Sequence, residues 1–240
     1  MPDDILISVV IPVKDEEASI PELAAEIGAA FSGQSYAWEA VWVDDGSRDA
    51  SRARMQELPP PHRWIALDRN HGQSAAFMAG FRAARGLWVG TLDGDGQNDP
   101  ADLPRQLAYA LEHGVDMVNG IRAQRRDAWH RRLLSRLGNG IRNWLTGYTV
   151  RDVGCSTRVV RREALLELPF FHGMHRFLPT LVAMKGYRIA EIPVNHRPRR
   201  RGRSKYGFWN RAPAAASDLF GVRWLQSRNR NVRVVASGGG

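Results

Sequence analysis

Residues 88–100, W-V-G-T-L-D-G-D-G-Q-N-D-P, combine residue types that could bind a divalent cation. The apolar run at 87–92 predicts a buried strand that ends in a glycine-containing turn carrying Asp93, Asp95 and Gln97. Carboxylates two positions apart on a tight turn can face one hard cation, and Mg²⁺ or Mn²⁺ sharing diphosphate oxygens suits so short a ligand set. A D-x-D pattern alone is weakly specific, so a solvated Asp-Gly turn between strand and helix remains an alternative.

Strands and helices alternate along the first half of the chain, and they would place this turn at one edge of a sheet. The predicted strands are 5–13, 38–43, 64–67, 87–92 and 116–120. The predicted helices are 19–31, a second one that follows the polar turn at 44–49 and ends near residue 58, and 70–85. Ser19 and Glu22 have capping-box spacing, so we expect Ser19 to cap the first helix. This alternation implies a Rossmann-like α/β fold with a mostly parallel sheet flanked by helices, whose ligands bind beyond the carboxyl ends of the strands. Polar clusters follow four strand ends, at 15–17, 44–49, 68–72 and 93–99.

The second half of the chain contains amphipathic and arginine-rich segments. Residues 129–145 predict an amphipathic helix, which either packs on the sheet with a solvated basic face or lies on a membrane surface. Its apolar positions are Trp129, Leu133, Leu134, Leu137, Ile141, Trp144 and Leu145, with Arg131, Arg132, Arg136 and Arg142 between them. The loop at 197–206, R-P-R-R-R-G-R-S-K-Y, carries guanidinium groups suited to phosphate recognition. Residues 208–225 predict another amphipathic helix, followed by a frayed tail.

Composition limits the classes of protein. The chain has 240 residues, of which 43% are hydrophobic, enough for a sizeable core. A single cysteine, Cys155, excludes an intrachain disulfide and a Cys-rich zinc site and agrees with a cytosolic setting. The N-terminus is acidic and no apolar run reaches the roughly 18 residues of a membrane span, so we expect a soluble protein without a secretory signal.

Charge divides the chain into two parts. Residues 1–121 carry 9 Lys+Arg against 19 Asp+Glu, and residues 122–240 carry 25 against 6. This division suggests a cation site in the first part and a polyanion or anionic membrane surface in the second. No recognised nucleic-acid motif occurs, so we expect no nucleic-acid partner. The patterns G-x-G-x-x-G after the first strand and G-x-x-x-x-G-K-[ST] are absent from the sequence, which disfavours an ordinary dinucleotide site and a P-loop.

Six motifs, in order along the chain, carry a resemblance to a known family. They are V-I-P-V-K-D-E-E, V-D-D-G-S-R-D, R-N-H-G-Q-S-A-A-F-M-A-G-F, L-D-G-D-G-Q-N-D-P, D-V-G-C-S-T-R-V-V-R-R-E and R-R-R-G-R-S-K-Y. Over residues 7–206 the chain resembles the GT-A fold glycosyltransferases of family 2, and within them the polyprenyl-phosphate group. The resemblance implies a catalytic domain at 1–207 and, at 208–240, a helix and tail that dock on a membrane.

The resemblance also implies an activity and the residues that perform it. The activity is metal-dependent, inverting transfer of a sugar from a nucleotide donor, with a UDP-sugar favoured, to an undecaprenyl-type phosphate during cell-envelope or lipid A glycan modification. The donor's base and ribose would contact Pro12, Asp15, Glu16, Asp44 and Asp45, and Mg²⁺ or Mn²⁺ would bind Asp93, Asp95 and Gln97. Gly94 would face the nucleotide, Arg122, Arg199 and Lys205 the phosphates, and Asp152 and Arg158 the sugar and acceptor. The catalytic set would be Asp95, Asp152, Arg199 and Lys205.

Two departures from the family pattern shape the expectation for location. Lys14 stands where the family often has an aromatic residue, which bears on stacking of the base. Many bacterial members continue into transmembrane helices, and this sequence does not. We therefore expect a peripheral protein at the inner face of the cytoplasmic membrane, docked through its basic half and the helices at 129–145 and 208–225, or assisted by a membrane partner or a second copy.

The residues suit this chemistry without a strong general base. A phosphomonoester with a second pKa near ~6 is mostly ionised at pH 7 and can attack unaided. The growing charge on the nucleotide leaving group would be neutralised by the metal with Arg199 and Lys205. Asp152 either orients the attack or caps a turn.

Three rival functions make different predictions. A saccharide-extending family 2 enzyme, or one that uses GDP-mannose, is the nearest; processive members carry Q-x-x-R-W, whereas Phe220 holds the first position before Arg223-Trp224 here. A sugar nucleotidyltransferase should have a glycine-rich first loop, and residues 12–17 contain no glycine. A basic membrane- or nucleic-acid-binding adaptor would keep its function when Asp95 is replaced by Ala.

Overall fold

The chain forms one seven-stranded sheet covered by helices in this computed structural model, which describes residues 5–122, 140, 142–198 and 212–229. The strands are β1 Ile5–Val13, β2 Ala37–Asp44, β3 His62–Ala66, β4 Trp88–Thr91, β5 Met117–Arg122, β6 Arg158–Arg161 and β7 Ile189–Val194. The α-helices are α1 Ile20–Phe31, α2 Ser51–Gln56, α3 Gln73–Ala83, α4 Asp102–His113, α5 Arg162–Leu166, α6 Leu178–Met184 and α7 Ala212–Arg228. Residues 142–146 are also helical, and a 3-10 helix at Met174–Phe177 precedes α6.

The strand order is β3-β2-β1-β4-β6-β5-β7. Strands β1 to β4 run parallel, β5 and β7 are parallel to each other, and β6 lies antiparallel between β4 and β5. The predicted mostly parallel sheet flanked by helices is confirmed. The inserted β6 matters for the site because its amino-terminal end lies beside the carboxyl end of β4, with Arg158 paired to Thr91.

Two apolar clusters cover the two faces of the sheet. One contains Phe77 and Phe81 of α3 together with Leu181 of α6, and the other contains Leu23 and Phe31 of α1. Helix α1 buries the apolar face of its sequence, and α3 and α6 bury theirs on the other side, so the sheet is covered on both faces and its polar groups are left at the strand ends.

The C-terminal helix α7 joins the first of these clusters. Leu219 and Val222 are buried in it, whereas Phe220 and Trp224 are 67% and 61% exposed. The predicted domain boundary at 207, the predicted start of this helix at 208 and residues 230–240 of the tail lie outside the described residues. Within the described part of the chain, no helix is long and apolar enough to cross a membrane.

Two local predictions are wrong in part. Ser19 is the N-cap residue of α1, as predicted, but its side chain makes no cap bond; its hydroxyl oxygen lies 2.6 Å from the carbonyl oxygen of Gly94 instead. In the helical turn 142–146, Arg142 is buried and Trp144 is 81% exposed, the reverse of the predicted faces. The Arg142 guanidinium donates to the carbonyl of Val150 at 2.8 Å, and burial lowers its pKa to about 10. The rest of the predicted 129–145 helix lies outside the described residues.

Candidate active site

The loops that follow β1, β2, β3 and β4 meet at one edge of the sheet, since these strands run parallel. The backbone N–H of Asp15 donates to the hydroxyl of Ser47 at 3.0 Å, and that of Arg48 donates to Asp15 at 2.7 Å, which join the first and second loops. Gly46 lies against the third loop so closely that an added Cβ would be 2.6 Å from Asn70 N. The predicted gathering of polar clusters is therefore present.

Residues predicted to contact the donor in the first loop are held by protein contacts. Asp15 has a left-handed φ of 49°, and its second carboxylate oxygen forms an ion pair with Lys14 at 2.7 Å. The backbone N–H of Glu16 donates to the hydroxyl of Ser51 at 2.9 Å. Pro12 belongs to β1, and its carbonyl oxygen would lie 2.9 Å from a Cβ at Gly94. Gly94 is needed here because the D-x-D turn passes directly over the end of β1.

The second loop turns two carboxylates inward. Asp44 is fully buried and accepts from Ser47 N at 2.8 Å, while its other oxygen pairs with Arg52 Nε at 2.8 Å. Asp45 accepts from the backbone N–H groups of His71 and Gly72 at 2.7 and 2.9 Å. Burial raises the pKa of Asp45, and these two donors oppose that rise. Both side chains fix neighbouring loops, and their contact with a nucleotide stays a prediction.

Asp93 and Asp95 stand at the end of β4, where the sequence predicted a cation site. Asp93 is held on both carboxylate oxygens, by Gln73 Nε2 at 2.7 Å and by Ser156 Oγ at 2.6 Å. Burial raises its pKa, and the like charge of Asp95 adds to this effect. Gln97 donates from its backbone N–H to Asp95 at 3.1 Å, and its side-chain amide donates to the carbonyl of Arg197 at 3.4 Å.

This donor set fits a hard divalent cation that is shared with a substrate. In the described ranges, no three His, Cys, Asp or Glu side chains form a group that could hold a metal ion by themselves. The two carboxylates therefore need further oxygen ligands, which a diphosphate supplies. Burial and the like charge of Asp95 both raise the pKa of Asp93, and a bound cation would relieve the repulsion between the two carboxylates. Their oxygen donors match Mg²⁺ or Mn²⁺ better than softer metals.

Two predicted residues of the second half pair with each other. Arg122 makes a bidentate ion pair with Asp152, with Nε–Oδ2 and Nη2–Oδ1 distances of 2.7 Å. Arg158 is buried, donating to Asn119 Oδ1 at 3.0 Å and to the carbonyl of Val153 at 2.8 Å, and burial lowers its pKa. Both arginines thus bind protein oxygens in this structure, so a role on ligand phosphate or sugar stays a prediction for them. Arg199 and Lys205 lie outside the described residues.

The first residue of the basic loop, Arg197, contacts the D-x-D turn, and the sequence did not predict this contact. Arg197 pairs with Glu26 at 2.7 Å and with Asp99 at 3.0 Å, and its backbone N–H donates to the carbonyl of Gln97 at 2.8 Å. An isolated antiparallel bridge joins Asn98 to His196. A shallow cleft beside Asp95 is lined by Ser19, Glu22, Leu23, Glu26, Asp95, Gly96 and Arg197. The start of the basic loop therefore lies next to the candidate cation site.

Asn98 is the second residue that the sequence analysis passed over. Its side-chain oxygen accepts from the backbone N–H of Asp93 at 3.0 Å, and its amide nitrogen donates to Thr157 Oγ1 at 2.9 Å. Asn98 is buried, and these two hydrogen bonds join the turn to the residue before β6. The only signal for it was its position inside L-D-G-D-G-Q-N-D-P, immediately after the proposed ligands.

Comparisons with known proteins relate the chain to a protein family. Residues 8–168 match the family model described as Glycosyl transferase family 2. The undecaprenyl-phosphate 4-deoxy-4-formamido-L-arabinose transferase of Edwardsiella ictaluri is 42% identical over 205 residues, which are 84% of this chain and 63% of that protein. The protein of the same description from Shewanella sediminis is 41% identical over 208 residues, 85% of this chain and 62% of that one. The chain thus spans less than two thirds of these relatives.

Solved structures share the fold. Mannosyl-3-phosphoglycerate synthase from Rubrobacter xylanophilus superposes with a TM-score of 0.70 at 17% identity, covering 98% of this chain and 79% of that one. Glucosyl-3-phosphoglycerate synthase from Mycobacterium tuberculosis, solved with Mn²⁺, UDP and glucosyl-3-phosphoglycerate, gives 0.67 at 21% identity, covering 92% and 79%. At this identity the likeness concerns the arrangement of strands and helices, which agrees with the GT-A expectation.

Proposed function

Because the chain belongs to glycosyl transferase family 2, we propose that it transfers a sugar from a nucleotide-sugar donor to a polyprenyl phosphate, with inversion at the anomeric carbon. The observation that carries the proposal is the pair Asp93 and Asp95 at the end of β4, with the start of the basic loop fastened beside it through Arg197. A nucleotide diphosphate is bound through a divalent cation, which carboxylates hold, and through arginines, which bind its phosphates directly. The acceptor class is supported by the names of relatives that are 41–42% identical.

The donor is a UDP-sugar in this proposal, and the sugar is of the arabinose type. The relatives' names support the sugar, and a structural neighbour crystallised with UDP and Mn²⁺ supports the base and the metal type. In this chain Asp93, Asp95 and Gln97 would hold Mg²⁺ or Mn²⁺, which would neutralise the diphosphate as it leaves. Arg199 and Lys205 would bind the same phosphates from the basic loop.

The reaction requires one bond to form and one to break at the anomeric carbon. An oxygen of the lipid phosphate attacks from the face opposite the nucleotide, the bond between the anomeric carbon and the diphosphate oxygen breaks, and the nucleoside diphosphate leaves with the electron pair. The attacking phosphate is mostly ionised at neutral pH, so no protein group must remove a proton. The task of the chain is to position both phosphates, and Asp152, acting through Arg122, would orient the acceptor.

Membrane docking is the part of the proposal that locates the acceptor. Phe220 and Trp224 are exposed one turn apart on α7, and Gln226 of the same helix donates at 2.8 Å to the carbonyl of Thr146, next to the helical turn that exposes Trp144. Aromatic side chains beside arginines favour the interface of an anionic bilayer. We place the protein on the inner face of the cytoplasmic membrane, with a membrane partner or a second copy as alternatives for this surface.

Nucleotide release from a panel of UDP- and GDP-sugars tests the function, with undecaprenyl phosphate as acceptor and Mn²⁺ present. Asp95→Ala is compared with Glu57→Gln, which alters an exposed carboxylate that pairs with Arg54 just after α2. We expect one donor to be consumed only with the lipid phosphate and only by the wild type and Glu57→Gln. Consumption of GDP-mannose, or transfer to a saccharide, would replace the proposed substrates. Equal binding of liposomes or nucleic acid by wild type and Asp95→Ala, with no donor consumed, would leave the adaptor function.

A further inference from the structure

The carboxylate of Asp93 is gripped from two sides by neutral side chains. Gln73 Nε2 donates to Oδ1 at 2.7 Å, and Ser156 Oγ donates to Oδ2 at 2.6 Å. Gln73 is the first residue of α3, and Ser156 lies in the loop before β6, so the two donors come from sequence positions 83 residues apart. Nothing in the charge pattern of the sequence marks either residue.

We propose that Gln73 and Ser156 are positioning residues that fix the Asp93 carboxylate in the orientation needed to bind the divalent cation; this inference rests on the proposed function. The terminal torsion of an aspartate is broad, so an unrestrained carboxylate rotates among many orientations. One donor on each oxygen fixes the plane of the group. Each carboxylate oxygen keeps another lone pair, which is free to face a metal ion.

The backbone that positions Gln73 is held by its own contacts. The backbone N–H groups of His71 and Gly72, directly before it, both donate to Asp45. Gly72 has a φ of 87°, and an added Cβ there would lie 2.9 Å from the imidazole of His172, so the chain is confined where α3 begins. This arrangement determines the direction in which Gln73 leaves the helix.

Hydrogen bonds through Asn98 hold the loop that carries Ser156 next to Asp93. Its neighbour Thr157 accepts from the amide of Asn98 at 2.9 Å, and the oxygen of the same Asn98 accepts from the backbone N–H of Asp93 at 3.0 Å. Ser156 Oγ itself lies 3.0 Å from Asn98 Oδ1, so Ser156 and Asp93 are linked both directly and through Asn98. Groups that orient a metal ligand in this way tune the affinity for the metal although they never touch it.

Titration calorimetry with Mn²⁺ in the presence of UDP tests the inference without requiring turnover. Gln73→Met keeps the length of the side chain and removes the donor, and Ser156→Ala removes the hydroxyl. We expect Mn²⁺ to bind each variant about 10- to 100-fold more weakly than the wild type. Ser156→Thr, which keeps a hydroxyl, should restore affinity relative to Ser156→Ala.

Matched controls separate positioning from general damage. Gln226→Met removes an amide donor that bonds Thr146 O at 2.8 Å, and Ser32→Ala removes a hydroxyl that bonds Ala29 O at 2.8 Å; both are remote from Asp93 in the chain. Both should bind Mn²⁺ as the wild type does. Binding stoichiometry and thermal unfolding report the folded fraction of each variant, and affinity is taken per folded molecule.

The outcomes distinguish this inference from the proposed function. If Gln73→Met and Ser156→Ala bind Mn²⁺ with wild-type affinity while Asp95→Ala does not bind it, the positioning role is overturned and the metal-dependent function stands. If the wild type and Asp95→Ala bind Mn²⁺ equally, the metal-dependent function is overturned and the positioning role with it. Affinity lost in both variants and recovered in Ser156→Thr supports the role.

Discussion

Arg122 and Asp152 hold each other in a bidentate ion pair whose side chains are 17% and 7% exposed. The backbone N–H of Arg122 also points at Asp152, at 3.2 Å from Oδ2. The pair joins the end of β5 to the loop that leads toward β6, 30 residues later. Two residues that the sequence assigned to separate tasks therefore form one structural unit beside the candidate site.

Replacing Asp152 by Ala should lower the free energy of unfolding by about 3–5 kcal/mol, because Arg122 would keep a largely buried charge without its partner. Urea denaturation measures this loss. Arg122→Ala together with Asp152→Ala should cost less than the sum of the single changes, since neither charge is then stranded. Additive losses would mean that the ion pair contributes no coupling.

Glu39 supports a second buried network, near the amino end of β1. It accepts from Ser8 Oγ at 2.8 Å, Arg63 Nη1 at 2.7 Å and Arg85 N at 2.8 Å, and it is 2% exposed. We expect Glu39→Ala to lower the free energy of unfolding by about 3 kcal/mol, since several buried donors lose a charged acceptor. Glu57→Ala, at an exposed carboxylate paired with Arg54, should change it by less than about 1 kcal/mol in the same assay.

Gly94 and Gly28 should respond in opposite directions to replacement by Ala. A Cβ at Gly94 would lie 2.9 Å from the carbonyl oxygen of Pro12, so the turn must move; we expect a loss of about 1–3 kcal/mol in unfolding free energy and weaker Mn²⁺ binding. Gly28 lies inside α1 with nothing within 4 Å of an added Cβ, so Ala should stabilise the protein by roughly 0.5–1 kcal/mol. Thermal unfolding distinguishes the two. Equal stability of both variants would contradict the close approach at Gly94.

His62 should make stability depend on pH. Its Nδ1 lies 3.1 Å from Trp42 Nε1, which can only donate, so His62 must accept there and be neutral. Burial lowers the pKa of His62 below its ordinary 6.5, and the unfolded chain therefore binds more protons as pH falls through that value. Stability contributed by neutral His62 is present above pH 6.5 and is lost below it.

Urea titrations at about pH 5.5 and 7.5 measure this effect. The difference between the two should be smaller in His62→Gln, whose side-chain oxygen can still accept from Trp42 but does not titrate. An unchanged pH dependence in that variant would exclude His62 as the source.

Cys155 should be unreactive in the folded protein. Its thiol is fully buried, and burial raises its pKa, so little reactive thiolate is exposed to solvent. Modification by Ellman's reagent at about pH 8 should be slow in buffer and fast in denaturing urea. Equal rates in the two solvents would show that the thiol is accessible in the folded state.

The fold could be predicted because its signal is local. Runs such as 5–13 and the apolar spacing of α1 determine strand and helix without knowledge of their neighbours, and parallel connections then bring the polar loops together. The reversed exposure of Arg142 and Trp144 could not be predicted in this way. It depends on a carbonyl at Val150 that only the folded loop presents.

The two carboxylates on the glycine turn could be recognised in the sequence, whereas the neutral side chains that hold Asp93 could not. Asp93 and Asp95 stand out as carboxylates on a glycine turn, whereas Ser19, Gln73 and Ser156 are ordinary polar residues in sequence. Their partners are decided by which loops become adjacent, and the adjacency of Ser156 to Asp93 follows from the insertion of β6 between β4 and β5. A single sequence gives little information about that strand order.

The position of β6 in the sheet also affects the order in which the site can form during synthesis on the ribosome. Strands β1 to β4 can pair as soon as residue 91 has emerged, because β2, β3 and β4 each lie parallel to a strand that precedes them in the chain. Ser156 and β6 follow about 65 residues later, which at a rate of roughly 5–20 residues per second is a delay of several seconds. During that interval the nascent chain carries Asp93 with one edge of β4 unpaired. The contact between Ser156 and Asp93 can therefore form only after the later half of the chain has been synthesised, and a product truncated before Ser156 would lack it.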